Sequence, residues 1–136
     1  MIKPIMKSEF FLRLPSEDAG PDDAATGQDL LDTLHEHEHE CVGLAANMIG
    51  VRKRIICVKD GNRALLMYNP QILEQVNAYQ TSEGCLSLAG EHPCTRYRRI
   101  KVEYLDENFV HRIKNFSGYT AEIIQHEIDH CNGIVI

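Results

Sequence analysis

Two histidines one helical turn apart, with a glutamate directly after the first, are the residues here best suited to chemistry: His126-Glu127-Ile128-Asp129-His130. Side chains at i and i+4 share a helix face, so two imidazoles so placed can hold one metal ion. The glutamate can lean toward a water on that ion and take its proton, the arrangement of metal-assisted hydrolysis. On a helical wheel with Ile124 at 0°, Ile128, Cys131 and Ala121 fall at about 40°, 340° and 60°, which makes a core stripe. His126 and His130 fall at about 200° and 240°, Ile123 at about 260° and Glu127 at about 300°. This second face mixes apolar and ionisable groups, as the wall of a pocket does.

A catalytic metal needs a third protein ligand and an open position. The chain has five cysteines, Cys41, Cys57, Cys85, Cys94 and Cys131, an odd number with no C-x-x-C spacing. Cys131 lies about 100–140° around the helix from the two histidines and points away. Cys57 sits in the apolar run Ile55-Ile56-Cys57-Val58 and reads as core. Spacing leaves Cys41, Cys85 and Cys94 open, with Cys85 slightly favoured by its neighbour Gly84, which permits a tight turn.

The elements that position these groups read as an α+β fold, antiparallel strands around a C-terminal helix. Residues 1–25 are turn-rich and without steady period. Thr26 to about Glu40 reads as a helix capped by Thr26, with Leu30, Leu31 and Leu34 as its apolar stripe. Gly43-Leu44-Ala45-Ala46 is a poor helix and suits close approach of backbone to another group. Arg54–Lys59 and Ala64–Tyr68 form a hairpin around Asp60-Gly61-Asn62. Asn69-Pro70 reads as a break, Gln71–Tyr79 as a further strand, and Gly84 and Gly90 bracket a loop region, with Cys94 in a loop after Pro93. Ile100, Val102 and Tyr104 alternate with polar residues, as does Phe109–Phe116. Ser117 or Thr120 can cap the last helix, and Gly133 stands where a C′ glycine belongs.

At 136 residues and 15.5 kDa, a single domain over 1–136 is expected, with a core that needs no disulfides. Fourteen Lys+Arg against 20 Asp+Glu give a net charge of −6, which argues against a nucleic-acid or anionic-membrane binder. There is no 18-residue apolar run, and no apolar segment follows Lys3 and Lys7. The expected location is cytoplasmic, with reduced thiols. His35, His37 and His39 alternate with acids at a solvated helix end and lack a third ligand. His92 has no partner in the sequence, and His111 reads as half-exposed on its strand. Arg96, Arg98 and Arg99 read as a solvated strand start, and Glu83 and Gln125, next to ligand positions, as partners that orient them.

Three segments together resemble the signature motifs of the peptide deformylases. Glu83-Gly84-Cys85-Leu86-Ser87 matches E-G-C-x-S, and Gln125-His126-Glu127-Ile128-Asp129-His130 matches Q-H-E-x-D-H. Cys41-Val42-Gly43-Leu44-Ala45-Ala46-Asn47-Met48 resembles G-x-G-x-A-A-x-Q, with Cys41 for the first glycine and Met48 for the glutamine. The resemblance covers most of the chain. It implies removal of the N-formyl group from the N-terminal methionine of newly made polypeptides. It implies Cys85, His126 and His130 as ligands of one divalent metal, natively ferrous iron, with zinc or nickel able to replace it. Glu127 would be the general base that passes a proton to the leaving amine, the Leu86 N–H an oxyanion donor, and Gly43 and Leu44 peptide contacts.

Met48 falls at the family's second oxyanion donor, and a thioether cannot donate. Loss of one such donor costs about 10²–10³ in kcat, so an intact metal site with reduced turnover is expected. One alternative is a paralogue that keeps metal and peptide binding without efficient turnover. The other, a generic H-E-x-x-H zinc protease, is disfavoured by the thiolate segment around Cys85.

Overall fold

Five strands cross one antiparallel sheet in chain order: β1 (Gly43–Ala45), β2 (Ile55–Asp60), β3 (Arg63–Gly84), β4 (Glu91–Leu105) and β5 (His111–Ser117). The computed structural model describes residues 1–136. Three α-helices accompany the sheet: α1 (Glu9–Leu12), α2 (Ala24–Glu36) and α3 (Gly118–Cys131). Ile55, Ile56, Cys57 and Val58 of β2 are all fully buried, as a strand covered on both faces requires. α2 packs on β1, β2 and β3, and α3 lies across β1, β2, β4 and β5. Leu30 and Leu34 of α2, Met67 and Tyr68 of β3, Val102 of β4 and Ile124 of α3 meet in one core. The α+β arrangement read from the sequence is the arrangement found.

The element boundaries differ in ways with physical causes. The segment read as irregular holds α1, where Phe11 N–H donates to the Ser8 hydroxyl at 3.2 Å, and a 3₁₀ turn at Pro21–Asp23. α2 spans Ala24–Glu36 rather than Thr26 to Glu40, with Asp23 at the N-cap position. Beyond Leu34 the sequence is His-Glu alternation with nothing to bury, so the helix ends there. Asn69-Pro70 does not break the sheet. β3 runs through it as one 22-residue strand, with a register shift between Tyr68 and Gln71 where the missing Pro70 N–H is harmless. Cys94 lies in β4 opposite Thr81, not in a loop, and the strand read as Phe109–Phe116 is His111–Ser117.

α3 ends as the sequence reading expected. Gly133 takes φ +75°, its N–H donates to His130 O at 3.0 Å, and Ile134 N–H donates to Asp129 O at 2.9 Å. These are the two bonds of a Schellman stop. At the other end Ser117 holds the N-cap position without a side-chain bond, and Thr120 donates instead to Asp60 at 3.1 Å.

Candidate active site

α3 carries its ionisable residues inward. His126, Glu127 and His130 are all buried, His130 completely. Ionisable groups in such places need partners or a bound ion. The helical repeat brings His126 Nε2 and His130 Nε2 to 3.1 Å, and Cys85 Sγ lies 3.5 Å from His130 Nε2. One donor atom from each of the three residues falls within 4.8 Å of the others. Bond lengths of about 2.05 Å to nitrogen and 2.3 Å to sulfur at tetrahedral angles would place N···N near 3.3 Å and N···S near 3.6 Å. The His126–His130 and Cys85–His130 spacings are close to those two values. Cys85 gets there because β3 ends at Gly84 and the chain turns through an irregular loop before β4. Cys131 points into the core, and Cys41 lies outside the donor cluster.

The tautomer of His126 is set from behind. Its Nδ1 lies 2.7 Å from Glu83 Oε1, so the Nδ1 proton faces the carboxylate and the Nε2 lone pair faces the cluster. Glu83 is gripped by Arg96, with Nε at 3.1 and 3.0 Å from its two oxygens and Nη2 at 2.7 Å from Oε1. Arg96 Nη1 donates to Asp129 Oδ2 at 2.7 Å. Burial opposes the Glu83 anion, but the bonds from His126 and Arg96 outweigh it and hold its carboxyl well below the usual range. Burial and the neighbouring His126 push the His130 pKa down to about 3, leaving it neutral, the form in which imidazole binds metal. Burial also works against a charged His126. Its bonds to Cys85 and Glu83 prevail and raise its pKa to about 10, so the proton it holds is one a cation displaces.

Arg96 is the functional residue the sequence reading placed wrongly: it is not on a solvated strand start but only 4% exposed. No local signal marks it, because the inward alternation of Tyr104, Val102 and Ile100 is broken by the exposed Arg98 before it reaches Arg96. Glu83 orients His126 as expected. Gln125 instead ties α3 to β4, accepting from Tyr97 N–H and donating to Tyr97 O, both at 2.8 Å. The buried Asn47, also unanticipated, donates to His130 O at 2.9 Å.

A cavity of about 760 Å³ opens beside the donor cluster, lined by Gly43, Met48, Cys85, Leu86, His126 and Glu127 among others. Glu127 Oε1 is buried with no hydrogen-bond partner, and burial pushes this carboxyl up to about 7, against the pull of His126. A carboxyl poised near neutrality beside an open coordination position has the properties of a general base. Gly43 is what lets β1 pass so close. A Cβ there would sit 2.7 Å from Ile123 Cγ2 and 2.9 Å from Glu127 Oε2. Leu44 is fully buried and does not line the cavity. The Leu86 N–H makes no hydrogen bond within the protein.

The two unusual residues of the first motif both turn to backbone. Met48 Sδ accepts from Ala45 N–H at 3.4 Å, and Cys41 Sγ donates to Gly43 O at 2.9 Å. Burial pushes the Cys41 thiol up to about 12, so it remains protonated. The histidines of the other clusters stay outside. His35 pairs with Glu38, His37 with Glu40, and the exposed His111 with Glu103 at 2.9 Å.

The whole chain is similar to known proteins of one family. The polypeptide deformylase family profile matches residues 6–136. A peptide deformylase of Clostridium beijerinckii is 51% identical over 136 residues, covering all of both chains. Peptide deformylase 1 of Clostridium perfringens is 39% identical over 111 residues, 79% of this chain and 74% of that protein. Among solved structures, a class I type b peptide deformylase from Acinetobacter baumannii superimposes with a TM-score of 0.89 at 30% identity, covering 99% of this chain and 97% of its own. The Thermus thermophilus enzyme gives 0.89 at 33% identity, over 99% and 84%. The chain belongs to the peptide deformylase family of metallohydrolases.

Proposed function

We propose that this chain removes the N-formyl group from the N-terminal methionine of nascent polypeptides, with Cys85, His126 and His130 holding the metal. The observation that carries the reading is the convergence of these donors beside the unpartnered Glu127 carboxylate. Peptide deformylases use a divalent metal, and ferrous iron is the native ion in this reading, with zinc or nickel able to replace it. Held there, the cation supplies Lewis acidity, polarising the formyl carbonyl and acidifying water. Glu127 takes the water's proton and delivers it to the departing amine. The Leu86 N–H faces the developing oxyanion, and the Gly43 and Leu44 backbone holds the peptide. Glu83, backed by Arg96, keeps His126 Nδ1 protonated throughout. The products are formate and a free N-terminus.

A Met-Ala-Ser peptide occupies one of the Acinetobacter baumannii structures, which supports a formyl-Met peptide as probe. The decisive assay is formate release from N-formyl-Met-Ala-Ser by anaerobically iron-loaded protein. Release that Glu127→Ala abolishes supports the reading; no release, or full activity of Glu127→Ala, overturns it. We place the protein in the cytoplasm with nascent chains as partners, and with neither a nucleic-acid nor a membrane partner. Five free thiols, a net charge of −6 and the lack of a helix long and apolar enough to cross a membrane support this placement.

Met48 favours a second, slower reading of the same site. Its sulfur accepts from Ala45 N–H and offers the oxyanion no donor. Turnover in this reading is reduced, in the limit to a protein that binds metal and peptide without efficient hydrolysis.

A further inference from the structure

The segment preceding α1 is tied to the rest of the molecule at several points, among them the N-terminal ammonium on Asp29 and Asp32. Lys3 N–H donates to Thr33 Oγ1 at 2.9 Å, Met6 N–H donates to Met48 O at 2.7 Å, and the Lys7 ammonium donates to Leu86 O. Adjacent residues of one segment thus bond to two residues that line the cavity, Met48 and Leu86. Arg96, the buried cation of the active-site region, meets carboxylates, whereas the exposed Lys7 forms no ion pair and its ammonium sits on a carbonyl.

Leu86 O and Ser87 N–H are the two ends of one peptide unit, and Ser87 N lies 3.5 Å from Cys85 Sγ, its N–H donating to the sulfur. A cation at the carbonyl end of a peptide polarises the group and strengthens the N–H at its other end as a donor. We propose that Lys7 is a positioning residue for Cys85, acting through the Leu86–Ser87 peptide. Its charge keeps the Ser87 N–H aimed at the sulfur and stabilises the sulfur lone pairs. Without it the carbonyl turns to water and the peptide is free to rotate, in a loop with no regular structure to hold it. Hydrogen bonds to ligand sulfurs are a means by which a protein tunes the electron-donating power of a thiolate. The inference rests on Cys85 being a metal ligand.

The test compares wild type, Lys7→Met and Lys7→Arg in two readouts. Cobalt-loaded samples report the sulfur-to-metal charge-transfer band, and zinc-loaded samples report Ser87 amide exchange by NMR. Lys7→Met moves the band to longer wavelength, because the sulfur electrons are less stabilised. It speeds Ser87 exchange roughly five- to tenfold, the net worth of one ordinary hydrogen bond. Lys7→Arg restores both. A Lys7→Met protein with the wild-type band position, whatever its exchange rate, overturns the inference. So does a wild-type protein with no sulfur-to-cobalt band, since Cys85 is then not a ligand. Formate release, measured on separate iron-loaded samples, is independent. A protein that shows the band shift and releases no formate refutes the proposed hydrolysis and leaves the role of Lys7 standing.

Discussion

Replacing Arg96 by methionine isolates the buried charge chain behind the site. The methionine fills much of the same volume and supplies no donor. Two carboxylates lose a partner, but unequally. The Asp129 side chain is 24% exposed and can turn to water, whereas that of Glu83 is 9% exposed and cannot. Glu83 loses three donor contacts from Arg96 and keeps His126. Breaking a buried ion pair in this way costs about 3–5 kcal/mol, because one charge is left uncompensated. Against a total stability of about 5–15 kcal/mol for an ordinary domain, that is a large fraction. A loosened His126 should also weaken metal binding by about 10–100-fold, the usual cost of losing the group that orients a ligand. Urea unfolding of the metal-free proteins measures the first quantity, and zinc competition with a chelator measures the second. Arg96→Met combined with Glu83→Gln should recover part of the stability, since no anion is left to strand. An Arg96→Met protein within about 1 kcal/mol of wild type, with unchanged zinc affinity, refutes the reasoning.

Three further outcomes are expected. Met48→Gln restores an oxyanion donor and raises kcat by about 10²–10³ with little change in KM; a kcat that stays level or falls contradicts the assignment. Gly43→Ala drives a methyl into Ile123 and Glu127. It lowers stability by about 1–3 kcal/mol and displaces the base, so an unchanged melting temperature together with unchanged formate release would show that the close approach is not needed. The Asp106 carboxylate accepts from Val110 N–H at 3.0 Å, from Arg112 Nε at 3.0 Å and from Asn108 N–H at 2.9 Å. The Val110 bond is the largest influence on its pKa; burial opposes it, and the net result lies below the aspartate norm. A depressed carboxyl contributes stability above its unfolded pKa and loses it as pH falls through its folded pKa. The gap between wild type and Asp106→Asn in urea midpoint should therefore be full at neutral pH and close in acid; a gap constant across that range excludes the assignment.

What could be read directly was the part governed by local rules. The histidine spacing, the Schellman glycine and the apolar stripe of α3 are all within one or two turns of chain, and all are found as expected. The close approach at Gly43 followed from residue size alone. The errors come where tertiary structure overrides a local signal. Pro70 is a strand breaker by type, yet a register shift absorbs it within β3. Arg96 is a surface residue by type, yet Glu83 from β3 and Asp129 from α3 converge on it. Those acids lie 13 and 33 residues away in sequence, beyond the reach of periodicity. Spacing alone left three cysteines open as the third ligand. The family motif favoured Cys85, and the turn after β3 is what brings it to the histidines.

Cys85 and His126 stand about forty residues apart in the chain and come from different elements, a hairpin tip and a helix. An ion bound to both is a removable cross-link across that length. Its contribution to the folded state grows with occupancy, reaching about 2.7 kcal/mol when free metal is a hundredfold above its dissociation constant. In the proposed site, metal supply would then set the mechanical tightness of the Cys85–Gly90 tip as well as the chemistry beside it. Starving the protein of metal should slacken the hairpin tip before it loosens the sheet.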